Sequence, residues 1–430
     1  MLSLLLIPVY TFLLILLLFR ITRRDRSFLS RRFVAGSFLV KAGAGILYGY
    51  LFMHFYHGMD TWKYHDDAFV EYYKLLTEPK RFLTDTFSTA SGSLSLGAAY
   101  DTNNSYWSDF EEVLFTRLLV FFDLFSFGHY YVNVMFFSFL SYLGHLLLYR
   151  LLVRHHPDSS FPLKGAIFFY PVVLFWVSGI QKEGLLLVGM AAAFYYTDKI
   201  IQEQGRLYRN MMLLAGSLIM LWLIRNLVLL CMAPALLAWF LHGRMKIAKR
   251  MAFAGVYGIA GILFFWGHHI PGIPDLAQKV ANRQYSFLSL TGNTRLPLDS
   301  LQARPGAYLK VLPQALNHSF LQPLITQSKS ILQLVSAFDI YLFFGSGVLA
   351  FLFRKSGWKQ VLQDPLMLTL FCTAFAGYLI VGYIVPFPGA FVRYKSLFEW
   401  LFVAGFATGT DFRWKREIMK NSILKQKAKV

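Results

Sequence analysis

Charge is scarce in this chain, and so is cysteine. Asp, Glu, Lys and Arg make up 15% of its 430 residues, against about 25% in soluble domains. That scarcity excludes an ordinary water-soluble globule. The two cysteines, Cys231 and Cys372, lie inside apolar runs without metal-type spacing. They read as small buried hydrophobes. There is no Walker A, Rossmann glycine, nucleophile-elbow or zinc motif. No nucleotide cofactor is expected, so an activated substrate or a gradient must drive any reaction. Internal repeats, low-complexity tracts and soluble domains are missing too. Residues 1–430 read as one integral membrane domain.

What the chain has instead is apolar surface. Hydrophobic residues make up 56%, with 43 Phe and 24 Tyr, which suits a bilayer and its interfaces. A net charge of +19 would suggest nucleic acid in a soluble protein. Here the basic residues flank membrane-length runs, so no nucleic acid partner is expected.

A span needs about 20 mostly apolar residues. Eleven runs qualify or nearly so: 2–19, 33–56, 130–153, 163–180, 183–201, 210–225, 226–243, 251–268, 331–353, 365–385 and 394–410. The fold class is therefore an all-α polytopic membrane protein with about eleven transmembrane helices. Arg20, Arg23, Arg24 and Arg26 follow the first run instead of preceding it, as in a span with its N-terminus outside. Placing the C-terminus inside then makes six separate inner segments basic, including 150–164, 244–250 and the tail 411–430. The Lys-rich end, 420–429, reads as a membrane-surface anchor.

Two long segments remain outside, about 57–129 and 269–330. Within the first, Val113 to Phe127 is apolar. Counting it as a span would reverse every later loop, so it reads as an interfacial or re-entrant helix. Within the second, 282–285 and 312–316 look structured and suited to covering a cavity. Sequons occur at Asn103 and Asn317.

Polar groups near a membrane usually have a reason to be there, and four clusters fall on the outer side. After the second run, a helix would align Asp60, Tyr64, Asp67 and Glu71 along one stripe. Such a stripe, with Asp66 beside it, can hold a general base. It can also hold a divalent cation such as Mg²⁺ or Mn²⁺ through Asp60 and Asp67. The solvated loop helix is the bland alternative. Lys182 and Glu183 interrupt two apolar runs, either as an exposed turn or as a cavity rim with Lys182 toward phosphate. Arg225-Asn226 divides two further runs, and guanidinium suits an anionic head group. Arg393 and Lys395 precede the last run, placed for phosphate or for anchoring. Arg283 adds a cation from the second long segment.

This layout resembles the C-type (GT-C) superfamily of polytopic glycosyltransferases. The resemblance rests on the acidic first outer segment around Asp60, its interfacial helices, the later long outer segment, and Phe391-Val392-Arg393-Tyr394-Lys395-Ser396-Leu397 before the last span. Pro171 to Glu183, ending Ser-Gly-x-x-Lys-Glu, is similar to bacterial polysaccharide membrane enzymes. One departure is that the acidic segment follows the second span here, not the first. The resemblance implies transfer of a sugar from a polyprenyl-phosphate donor to a lipid-linked or cell-surface glycan acceptor at a bacterial plasma membrane. Asp60 would be the base, with Asp66 or Asp67 as substitutes. Lys182, Arg225, Arg393 and Lys395 would face phosphate. Glu183, Tyr64 and Arg283 would support them. A polysaccharide polymerase or O-antigen ligase is the nearest rival. A transporter or flippase without chemistry is the second.

Overall fold

An apolar run has few side chains to satisfy its backbone, and in a bilayer it can do so itself only as a helix. The computed structural model describes residues 2–25, 29–85, 106–290, 295–328, 331–355 and 358–411, and these are all-α. The order is α1 (Leu2–Ile21), α2 (Arg31–Phe55), α3 (Met59–Thr77), α4 (Pro79–Asp85), α5 (Tyr106–Ser126), α6 (Tyr130–His155), α7 (Ser160–Phe168), α8 (Pro171–Trp176) and α9 (Lys182–Ile201). Then come α10 (Leu207–Met245), α11 (Lys249–Trp266), α12 (Leu276–Leu288), α13 (Pro305–Leu321), α14 (Ile331–Leu352), α15 (Trp358–Gln363), α16 (Pro365–Ile384) and α17 (Pro388–Thr408). Among the described residues, six helices (α2, α6, α9, α10, α11 and α16) are long and apolar enough to cross a membrane. The chain is a membrane protein of helical type. The Lys-rich tail and Asn103 lie outside the described residues.

The 39 residues of α10 would measure roughly 58 Å as one rod, almost twice a bilayer's hydrocarbon thickness. They do not form one rod. Arg225 has φ −159° and ψ 88°, and the chain reverses there. Near the start of α10, Asn210 Nδ2 donates to Gln204 O at 2.7 Å. Near its end, Arg244 pairs with Glu203 of the same loop. Arg225 itself meets Glu183, at the opposite end of α9. The runs 210–225 and 226–243 are the two arms of this hairpin.

The run 163–180, expected as a single helix, is broken. Pro171 keeps Tyr170 out of the helical region, at φ −64° and ψ 116°, which separates α7 from α8. A second gap, 177–181, precedes α9. Freed carbonyls inside a bundle need donors. Buried Lys41 Nζ donates to Val177 O at 3.3 Å, and Ser138 Oγ donates to Ser178 O at 3.0 Å.

The bundle has two distinct ends. At one, Arg150 holds Asp25 (2.6 Å), Arg154 holds Asp198 (2.9 Å), and His156 meets Asp364 (2.7 Å). This basic end gathers the last turns of α1, α6 and α9. The other end gathers the first turns of α6, α9 and α17. α5 stays there, on α3, with Glu111 bonded to Lys182 and Asp123 bonded to Asn133. Its length and composition do not qualify it as a span candidate.

Residues 282–285 lie in α12 and 312–316 in α13. α13 lies tight on α16 because residue 382 is glycine: a Cβ there would stand 2.2 Å from Ala315 O. Ser319 is buried in α13 and its hydroxyl donates to Ala315 O at 2.8 Å. That sequon lies within a helix, with Asn317 exposed and Ser319 buried.

Candidate active site

Asp60, Lys182, Glu183, Arg225 and Arg393 stand where a helix begins or breaks. Asp60 sits in the first turn of α3, behind a sharp bend in which His57, Gly58 and Met59 all have positive φ (51°, 85° and 40°). Non-glycine residues adopt such angles under strain. The bend is pinned by Trp62, which donates to Gly49 O at 3.0 Å and stacks on Tyr130 at 3.9 Å. Lys182 and Glu183 open α9 after the 177–181 gap. Arg225 is the turning residue of the α10 hairpin. Arg393 lies in the second turn of α17, which starts at Pro388, a residue preset for a first helical position.

Arg393 is the hub. Its Nη1 donates to Asp60 Oδ2 at 2.7 Å, its Nη2 to Gln181 Oε1 at 2.6 Å, and its Nε to Glu183 Oε1 at 2.9 Å. Arg225 Nη1 reaches the same Glu183 oxygen at 3.2 Å. Glu183 is 1% exposed, so one buried carboxylate holds two guanidinium groups. Arg225 also stacks over the Tyr394 ring at 4.5 Å. Lys182 pairs with Glu111 at 2.9 Å and lies 5.4 Å from the Tyr64 ring centre.

These groups surround a cavity of about 270 Å³. Asp60, Tyr64, Glu111, Lys182, Arg225, Arg283 and Arg393 supply its polar lining. The apolar wall comes from α10, α16 and α17, including Leu223, Ile384, Val385 and Phe398. Arg283 reaches it from α12, which Gln284 fastens by donating to Tyr383 O at 2.8 Å. Burial, and then the Arg225 charge, lower the affinity of Arg283 for its proton. Among the described residues Arg283 has no carboxylate partner. Two arginines side by side with no acid on one of them form a seat for an anion. Burial also raises the Glu111 carboxyl, against the opposing pull of Lys182.

Of the residues singled out from sequence, Asp60, Tyr64, Lys182, Arg225, Arg283 and Arg393 come together, with Glu183 directly behind. Four do not join them. Asp66 and Asp67 are exposed and away from the cavity. Lys395, expected at a phosphate, is buried elsewhere, 2.9 Å from Asp339 and 3.5 Å from Glu399. Glu71 is bound to Arg117 at 2.5 Å.

The residues do not suit a metal. Asp60 and Asp67 are about 10.5 Å apart along a helix axis, too far to share one ion with oxygen bonds of about 2.3 Å. One Asp60 oxygen is already held by Arg393. Among the described residues no group of three or more His, Cys, Asp or Glu side chains is placed to hold an ion. Glu111 and Gln181 escaped the sequence reading. The acidic pair at 111–112, opening an apolar stretch, was the available signal for the first. Gln181 stands beside Lys182 in a motif already noted. No family model, no curated protein and no solved structure matches the chain.

Proposed function

We propose that this membrane protein is a glycosyltransferase that moves a sugar from a polyprenyl-phosphate donor to a glycan acceptor, on the face away from its basic end. The observation that carries the reading is the cavity itself. It joins a carboxylate with a free oxygen, an acid-free arginine beside a second arginine, and an apolar wall. A base, an anion seat and a lipid groove are the parts such a transfer needs.

In the proposed step the acceptor hydroxyl oxygen attacks the anomeric carbon. The bond from that carbon to the phosphate oxygen breaks, and the hydroxyl proton passes to Asp60 Oδ1. Arg393 fixes the carboxylate through Oδ2 and leaves Oδ1 open. Negative charge growing on the departing phosphate meets Arg225 and Arg283. Glu183 keeps the arginines in place and touches no substrate.

The reading includes eleven passages, with the N-terminus on the outer face and the tail in the cytoplasm of a bacterial cell. In support, α6, α9 and the two α10 arms each run from the basic end, at Arg150, Asp198 and the Arg244–Glu203 pair, to the site end, at Asn133, Lys182 and Arg225; α7–α8 counts as one passage and the α10 arms as two. The positive-inside bias assigns the basic end to the cytoplasm.

The test uses full-length protein in liposomes with a synthetic polyprenyl-phosphate hexose. Asp60→Asn is expected to lower transfer by at least about a hundredfold while donor binding persists. Full activity would remove Asp60 from the mechanism. The extra cation from α12 favours a second reading, a polymerase or ligase using a diphosphate-linked donor. Turnover of a diphosphate-linked oligosaccharide but not the monophosphate donor would select it. A deletion strain with unchanged lipid-linked sugars and a transport defect would favour a flippase over both.

A further inference from the structure

A second cavity, of about 1000 Å³, opens at the basic end, far from the site just described. Its rim carries Arg20, Arg23, Arg24, Arg150, Arg154 and Lys199, and its one acid is Asp25. Asp25 is already neutralised: Arg150 binds it through Nε at 2.9 Å and Nη2 at 2.6 Å. Arg154 is held by Asp198, and Lys199 donates to Gln204 Oε1 at 2.8 Å. Arg20, Arg23 and Arg24 are exposed and have no carboxylate partner among the described residues. Basic residues in last turns complement helix dipoles. That accounts for Arg20, Arg154 and Lys199, and Arg150 is taken up by Asp25, but Arg23 and Arg24 follow the end of α1.

Beyond the cavity's own lining, α6 and α9 present a partly exposed apolar face. Along α6 the half-open positions recur as Leu140, Leu143, Leu147, Arg150 and Arg154, an i+3/i+4 stripe that changes from apolar to cationic as it nears the basic end. On α9, Val188, Tyr195 and Lys199 repeat that change on one face. A free phosphate ion would use only the cationic half. An amphiphile with an anionic head and a hydrocarbon chain uses both.

We propose that this cavity and the apolar face beside it bind an acidic phospholipid, its phosphate on the Arg20–Arg23–Arg24 rim and an acyl chain along the Leu140–Leu143–Leu147 stripe. The seat is independent of the outer cavity and of any reaction there. It fixes the ends of α1, α6 and α9 to the leaflet on that side.

Native mass spectrometry of the purified full-length chain tests this with three probes: phosphatidylglycerol, phosphatidylcholine and inorganic phosphate. Phosphatidylglycerol should stay bound where phosphatidylcholine does not, and millimolar phosphate should not displace it. The triple variant Arg20→Gln, Arg23→Gln, Arg24→Gln should weaken retention roughly a hundredfold, at about 1 kcal/mol per charge. Removing the same charge elsewhere at that end, with Lys246→Gln, Lys249→Gln and Arg250→Gln, should leave it unchanged. Leu143→Trp keeps every charge and fills the stripe, so it should lower retention as well; it also serves if the triple variant misfolds. Equal loss in both triple variants would reduce the effect to general surface attraction and overturn the site. Displacement by phosphate would make it a free-anion site. Unchanged retention in Leu143→Trp would remove the acyl seat.

Discussion

Glu183→Gln keeps the shape of a buried side chain and deletes its charge. Two guanidinium groups depend on that charge, Arg393 at 2.9 Å and Arg225 at 3.2 Å. Breaking a buried ion pair by removing one partner costs about 3–5 kcal/mol, because the other charge stays buried without compensation. Arg393 retains Asp60 at 2.7 Å, so the orphaned group is chiefly Arg225, and the lower part of that range is expected. With an unfolding entropy of about 2.1 cal/mol/K per residue, a loss of about 3 kcal/mol lowers the melting midpoint of a chain this long by roughly 3–4 °C. Fluorescence-detected melting of the detergent-purified protein reads this directly. Arg225→Met in the same chain should recover part of the loss, since the double variant removes the charge that Glu183→Gln leaves without a partner. A Glu183→Gln protein that melts with the parent would refute the ion-pair reasoning. So would a double variant whose losses simply add.

Three further outcomes follow from the same geometry. Arg283→Gln removes a cation without an acid partner among the described residues. It should leave the melting temperature unchanged and weaken binding of a polyprenyl phosphate about 10- to 100-fold, read by isothermal titration in detergent. His65 of α3 packs edge-on against Trp62 and Tyr130, and burial lowers its pKa from 6.5 to about 4. The unfolded chain therefore binds more protons between those values. The His65 contribution is complete above pH 6.5 and is lost as pH falls toward 4, by up to about 3 kcal/mol; His65→Gln should flatten the melting temperature across that window. Lys395→Met leaves Asp339 and Glu399 facing each other and should cost about 3–5 kcal/mol, whereas Asp339→Asn leaves one acid with one cation and should cost under about 1.5 kcal/mol, both by the same melting assay.

The helical runs were legible because a bilayer demands length and apolarity from each stretch of chain by itself. α2, α6, α9, α11 and α16 begin and end within a few residues of the runs that predict them. Pairing was not legible. Asp60 and Arg393 are 333 positions apart, and nothing in either neighbourhood names the other. The misplacement of Lys395 had a readable cause. Residues two apart on a helix point about 200° away from each other, so Arg393 and Lys395 cannot both face one cavity. Glu399, one turn beyond Lys395, marks the side on which that lysine is paired. Asp66 carried the same warning, six positions and so about 240° round from Asp60, whereas Asp67 shares the face of Asp60 but lies two turns further along α3, past the cavity. The break before α8 was signalled by Pro171, which fits a helix start and pushes the residue before it out of the helical region.

Five polar groups at the Arg393 cavity share a structural origin. A regular helix in a membrane points side chains sideways, toward lipid or toward another helix. A helix start or a reversal points them along the bundle axis, into space no neighbouring helix fills. Asp60, Lys182, Glu183, Arg225 and Arg393 all occupy such positions. Starts also present unpaired backbone N–H groups and the positive end of the helix dipole. α3, α9 and α17 turn that end toward one cavity, so backbone and side chains pull the same way on an anion. Glu183 lies behind the guanidinium groups, where it offsets two of the charges without lining the cavity. The position of Glu183, buried in the first turn of α9, is therefore what makes so much positive charge tolerable at the edge of a membrane and still available to a phosphate.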